Sequence, residues 1–199
     1  MDVRTVAVIG AGTMGAGIAQ VCAQTGWETR LYDAFPEGLQ NGVDSIHGFW
    51  DKGIARGKTT EQQKSEWSAN LSSYEDLVKA VAGADLVIEA VPEVMDLKQG
   101  IFRQLEEMVP THAVLATNTS GLQISEIASA TGCPERVIGM HFFNPVPLMG
   151  LLEIVRHDSC SNATIVAAQS IGSAMGLSLI HISEPTRRTP ISYAVFCLK

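Results

Sequence analysis

An apolar run, Val6-Ala7-Val8-Ile9, leads straight into Gly10-Ala11-Gly12-Thr13-Met14-Gly15, and the next apolar run, Thr29-Arg30-Leu31-Tyr32, ends on an acid, Asp33. A strand, a glycine turn, a helix over 16–24 and a second strand closing on a carboxylate are the parts of a dinucleotide-binding β-α-β unit. Gly10 permits the tight turn after the strand. Gly12 lets a pyrophosphate approach the backbone, and Gly15 lets the helix pack close to the sheet. The helix N-terminus offers unpaired N–H groups and a positive dipole end to phosphate. Thr13 and Met14 lie between the last two glycines and are assigned with them to the cofactor. Asp33 is placed to accept hydrogen bonds from the adenosine ribose hydroxyls, and its charge repels a 2′-phosphate, which favours NAD over NADP. The alternative is a purely structural glycine turn. The preceding strand, the following helix and the acid at the right distance argue against it.

The rest of the chain keeps alternating. Helical spacing or capping signals predict helices over 36–56, from Thr60 through Trp67, and over 76–82, 96–108, 124–129 and 162–175, the last capped by Ser161 or Asn162. Apolar runs predict strands over 84–90, 113–116, 137–143 and 151–155. That order specifies an α/β fold: a doubly wound, mostly parallel Rossmann-type sheet, with ligands at the carboxyl ends of its strands. A length of 199 residues suits one domain, or one domain and part of another. A net charge of −7 argues against a nucleic-acid or membrane-surface partner. No apolar run approaches the ~20 residues that span a bilayer, and residues 1–9 lack the pattern of a signal peptide. Cys22, Cys133, Cys160 and Cys197 show no pairing motif and no metal-ligand spacing with histidine. Reduced thiols in a cytoplasmic protein without a metal are expected.

Four residues suit alcohol oxidation. Removing hydride from a carbinol carbon needs a base for the hydroxyl proton, and imidazole titrates near neutral pH, so His141 on its predicted strand fits that task. A base that becomes cationic gains from a carboxylate on its other ring nitrogen, and Glu153 lies on the neighbouring strand. Ser120 and Asn144 can hydrogen-bond a substrate oxygen or the nicotinamide amide. Each has a bland counterpart: His141 as a satisfied core histidine, Glu153 as a solvent-facing edge residue.

Read together, Gly10 to Gln20, Asp85-Leu86-Val87-Ile88-Glu89-Ala90, Asn118-Thr119-Ser120 and His141-Phe142-Phe143-Asn144-Pro145 followed by Glu153 resemble the 3-hydroxyacyl-CoA dehydrogenases, including the bacterial 3-hydroxybutyryl-CoA dehydrogenases. The resemblance covers residues 3 to about 176. It implies oxidation of the 3-hydroxyl of an acyl-CoA to a ketone with hydride passed to NAD. It implies His141 as acid and base, Glu153 as its partner, and Ser120 and Asn144 around the reacting centre. It also places Glu93 and Lys98 beside the cofactor. With an acyl-CoA as substrate, Arg56 and Lys58, which flank a turn, become candidates for the CoA phosphates; a solvated basic turn is the alternative. Lys98 on an amphipathic helix would otherwise be a solvated charge. Two other functions stay open: a non-catalytic NAD-binding module, and a dehydrogenase of another small hydroxy acid.

After Gly176 the resemblance stops. Residues 177–187 and 191–198 match, in order and in frame, translated sequencing-library adapter. The expected organisation is therefore an NAD-binding domain over 1–176 and a non-native tail over 177–199. Any strand formed by 177–182 would be opportunistic pairing at an open sheet edge. The resemblance implies a missing helical C-terminal domain that carries the homodimer contact and part of the substrate cleft. Turnover by the piece alone is doubtful.

Overall fold

The computed structural model describes residues 2–184; of the expected tail over 177–199, residues 185–199 lie outside the described residues. In chain order the elements are β1 (Thr5–Ile9), α1 (Thr13–Gln24), β2 (Glu28–Tyr32), α2 (Pro36–Ala55), α3 (Glu61–Ala69), β3 (Leu71–Tyr74), α4 (Leu77–Val81) and β4 (Leu86–Glu89). There follow α5 (Met95–Met108), β5 (Val114–Thr117), α6 (Ile124–Ala128), a 3-10 turn (Pro134–Arg136), β6 (Val137–Phe142), α7 (Val146–Met149), β7 (Leu151–Arg156), α8 (Asn162–Ala174) and β8 (Ser178–Ser183). The eight strands form one sheet in the order β3-β2-β1-β4-β5-β6-β7-β8.

β1 to β6 pair with one another in parallel. β7 turns back antiparallel to β6, and β8 runs parallel to β7. The strand order reverses between β1 and β4, so the crevice at their carboxyl ends is the place where a doubly wound sheet holds a ligand. The period of two along each strand sends alternate residues into two cores. Val6, Val8 and Ile88 pack with α1, α2 and α8 on one face. Ala7, Ile9 and Val87 pack with α4, α5 and α6 on the other. A strand buried on both faces reads as a continuous apolar run, which is how β1 and β4 appear in the sequence.

Glycine sets the closeness of these layers. A Cβ on Gly15 would sit 1.7 Å from the Gly10 carbonyl oxygen, so α1 touches the turn that precedes it. Gly10 itself has φ of 101°, a conformation that favours glycine. The predicted helix starts hold at α3, where Thr60 and Gln63 make a capping box, and at α8, where Ser161 caps Thr164 N–H.

Two elements differ from expectation. β3 was not predicted: its Leu71-Ser72-Ser73-Tyr74 has no apolar run, because it is an edge strand with two exposed serines. α7 is a single turn in the proline-bearing link between β6 and β7, and Val146 on it packs against Gly17 of α1. Residues 178–183, expected to be non-native, pair with β7 as an edge strand of mixed exposure.

Candidate active site at the carboxyl edge of the sheet

Two adjoining clefts open where the strands end. The first, about 610 Å³, is lined by Gly10, Gly12, Thr13, Met14, Asp33 and apolar side chains from Phe35, Leu77, Leu97 and Ile101. The second, about 330 Å³, is lined by Glu93, Asn118, Ser120, His141, Phe143 and Asn144. Met14, Ala90 and Val91 wall both, so the two are neighbours across the switch between β1 and β4.

The first cleft fits a dinucleotide. A Cβ on Gly12 would meet nothing within 4 Å, so that residue faces open space at the N-terminus of α1. The apolar walls suit an adenine ring, and the helix terminus suits a pyrophosphate. Asp33 lines this cleft at the end of β2. Its Oδ2 accepts from Ala11 N–H at 2.7 Å and its Oδ1 from Phe35 N–H at 2.9 Å. A carboxylate has about four lone-pair sites, so acceptor capacity remains for ribose hydroxyls.

The second cleft brings together residues that the sequence singled out. His141 and Glu153 are directly opposed in the antiparallel β6–β7 register, which puts both side chains on one face. The imidazole Nδ1 lies 2.8 Å from Glu153 Oε2. The two side chains are 15% and 7% exposed. Glu153 is therefore a buried partner of a histidine and not a solvent-facing edge residue. A carboxylate acceptor requires the proton on Nδ1, so Nε2 is the nitrogen left to meet a substrate. The Phe143 ring packs beside the imidazole with centroids 4.6 Å apart. Asn118 Oδ1 accepts Phe142 N–H at 2.8 Å and fixes the end of β6 against the loop after β5.

Glu93 stands on the wall of the second cleft. It accepts from the Thr119 hydroxyl, from Ser120 N–H at 3.1 Å and from Gly121 N–H at 3.2 Å. Burial alone would raise its carboxyl, but the Thr119 hydroxyl, the Lys98 ammonium and the Gly121 N–H outweigh burial and hold it below the usual carboxylate range. Lys98 is not a solvated charge. It is buried beneath the cleft, with its ammonium on Glu89, Glu93 and the Val91 carbonyl.

The structure thus gathers Ser120, Asn144, His141, Glu93 and the glycine turn around two adjoining clefts, with Glu153 and Lys98 behind them. Arg56 and Lys58 are not among them: both are exposed on the turn between α2 and α3, away from both clefts' walls. Sequence reasoning gave no role to Glu89. A charge closing the apolar run Leu86-Val87-Ile88 is the signal that could have found it. Among the described residues no cluster of His, Cys, Asp and Glu could hold a metal ion, and no helix is long and apolar enough to cross a membrane.

Residues 5–185 match the family model of the 3-hydroxyacyl-CoA dehydrogenase NAD binding domain. The chain is 38% identical over 184 residues to a probable 3-hydroxybutyryl-CoA dehydrogenase of Bacillus subtilis, covering 92% of this chain and 64% of that protein. It is 41% identical over 187 residues to the 3-hydroxyadipyl-CoA dehydrogenase of Escherichia coli, covering 94% of this chain and 38% of that protein. Its fold superposes with a TM-score of 0.89 on the crystal structure of the (S)-3-hydroxybutyryl-CoA dehydrogenase PaaH1 of Ralstonia eutropha, at 36% identity, covering 92% of this chain and 65% of that one. The chain therefore spans between about two fifths and two thirds of the length of these relatives.

Proposed function

The chain belongs to the 3-hydroxyacyl-CoA dehydrogenase family, which it matches through the NAD-binding domain, and on that premise we propose that it is the cofactor-binding part of an enzyme interconverting 3-hydroxyacyl-CoA and 3-oxoacyl-CoA. The observation that carries this reading is the His141–Glu153 pair at 2.8 Å, opening on a cleft that adjoins a dinucleotide cleft. A base alone is common; a base with its orienting carboxylate beside the place where a nicotinamide ends is what alcohol oxidation needs.

When bound, NAD would supply the hydride acceptor for the carbon that bears the hydroxyl. The chain's own residues do the rest. His141 Nε2 takes the hydroxyl proton, and Glu153 holds the Nδ1–H tautomer and offsets the imidazolium charge that forms. In the reductive direction the same nitrogen returns the proton to the ketone oxygen. The Ser120 hydroxyl and the Asn144 amide hydrogen-bond the substrate oxygen or the nicotinamide carboxamide. Gly10, Gly12, Thr13, Met14 and Gly15 hold the pyrophosphate end, Asp33 the adenosine ribose, and Glu93 with Lys98 behind it the nicotinamide end. Arg56 and Lys58, as exposed cations, are assigned to the CoA phosphates.

The same reading places the enzyme in the cytoplasm and its homodimer contact in a C-terminal domain, in keeping with the greater length of the relatives. Residues 177–199 are assigned to a non-native tail, on their likeness to adapter translation. Amplifying genomic DNA across the codon for Gly176 tests that assignment, and recovery of the same tail overturns it. The function is tested by following NADH formation from 3-hydroxybutyryl-CoA with the protein extended to its genomic coding sequence. Tight NADH binding without turnover would instead favour a non-catalytic module.

A further inference from the structure

Glu89 and Lys98 are 0% and 1% exposed, a carboxylate and an ammonium taken fully out of water. Burying such a pair costs several kcal/mol per ion before attraction and hydrogen bonds repay it, and apolar residues of similar volume are often as stable. Stability alone therefore gives little reason for the pair. Its geometry gives a better one.

Glu89 ends β4. Its Oε1 accepts Lys98 Nζ–H at 2.7 Å and Val91 N–H at 2.7 Å, and its Oε2 accepts the Thr117 hydroxyl at 2.8 Å. Its two oxygens are thus held by three segments: α5 and the loop after β4 at Oε1, and the end of β5 at Oε2. Lys98 then reaches out of the core on its other donors, to the Val91 carbonyl at 3.2 Å and to Glu93 Oε2 at 3.3 Å. Glu93 in turn takes the Thr119 hydroxyl and the N–H groups of Ser120 and Gly121. Two carboxylates, one buried and one on the cleft wall, are brought near each other by the single ammonium between them. Without it they would repel.

We propose that the buried Glu89–Lys98 pair is a positioning device that locks the loop after β4 to the loop after β5 and thereby sets Ser120 in the cleft. Neither residue touches the reacting atoms; both act through Glu93 and the 118–121 turn. This role presupposes the dehydrogenase reading of the cleft for its functional meaning, but the lock itself is a property of the folded chain. It is read most directly without cofactor, by amide hydrogen exchange of the full 199-residue chain.

In Glu89→Gln, the Ser120 and Gly121 amides should exchange roughly tenfold faster or more, while Val6 and Val8 in β1 keep their rates. NADH binding, followed by fluorescence, should weaken roughly tenfold because the cleft wall is misplaced. The double variant Glu89→Gln/Lys98→Met removes both buried charges, so it should fold even if the single variant does not. It should keep fast exchange at Ser120 and Gly121 and weak NADH binding while its urea midpoint returns toward that of the unsubstituted chain. Parent-like exchange at Ser120 and Gly121 in the double variant would overturn the proposal. So would a rise in exchange spread equally over β1 in either variant, which marks a merely structural pair. If the unsubstituted chain binds no NADH, the cofactor reading fails, and the exchange rates still decide the lock.

Discussion

His141 and Glu153 face each other across the only antiparallel pairing among the described strands, with Nδ1 2.8 Å from Oε2. Because the two residues are opposed in register, backbone hydrogen bonds fix their separation, and no loop has to order before the pair forms. The proposed base and its partner are mounted on strands, while the groups that would meet substrate and cofactor, Ser120 and Asn144, sit on loops at the strand ends.

That division gives a first prediction. In the enzyme extended to its genomic coding sequence, His141→Gln should lower kcat roughly a hundredfold or more, the scale of a lost general base. Glu153→Gln should also lower kcat, since the amide cannot offset the imidazolium. NADH affinity should stay close to that of the unsubstituted enzyme in both. Steady-state kinetics with 3-hydroxybutyryl-CoA beside NADH titration separates the two effects, and near-unchanged kcat in either variant removes that residue from the mechanism.

The glycine turn gives a second. A methyl at Gly15 would lie 1.7 Å from the Gly10 carbonyl oxygen, so Gly15→Ala should cost about 1–3 kcal/mol or more in a urea melt. A methyl at Gly12 meets nothing, so Gly12→Ala should melt close to the unsubstituted chain and yet bind NADH more weakly, because the methyl enters the space left for the pyrophosphate. Equal effects on stability at both positions would contradict this geometry.

Asp33→Ala should weaken NADH binding more than NADPH binding and so narrow the preference between them. A charge near a 2′-phosphate is worth on the order of 1–4 kcal/mol in partly solvated surroundings. Fluorescence titration with both nucleotides checks this, and a preference for NADPH in the unsubstituted chain would refute it.

Acid stability should depend on Asp85. Burial acts to raise its carboxyl, but the N–H groups of Arg4 and Thr5 at 2.9 and 3.0 Å, together with His112, lower it below its usual value of 3.8. A carboxyl depressed in the folded state stabilises the fold fully above its unfolded pKa and stops doing so as pH falls through the folded one. Asp85→Asn should therefore lower the urea midpoint at pH 7, and the difference from the unsubstituted chain should shrink at pH 3 and below. A pH-independent difference would place the effect in packing.

The parallel sheet, the glycine turn and the His141–Glu153 pairing were legible because each has a local signature: continuous apolar runs, a fixed glycine spacing, and charges interrupting strands. β3 was hidden because an edge strand needs only its backbone to pair, and Ser72 and Ser73 carry no apolar signal. Lys98 is a different case: it shares the i, i+4, i+7 stripe of α5 with the buried Phe102 and Leu105, so periodicity puts it on the core face. What stayed hidden is how a charge is tolerated there, because its partners Glu89, Val91 and Glu93 come from the end of β4 and the loop after it.

Asp33 carries one more consequence. Its carboxylate anchors Ala11 N–H and Phe35 N–H, so the residue proposed to choose the cofactor is also a staple of the glycine turn proposed to hold it. Selectivity and scaffold are thus written in the same side chain. An attempt to redesign the protein for NADP by a single exchange at position 33 would unfasten the phosphate cradle as it removed the repulsion. Such a redesign has to supply a second acceptor for Ala11 N–H, or it will trade discrimination for loss of both nucleotides.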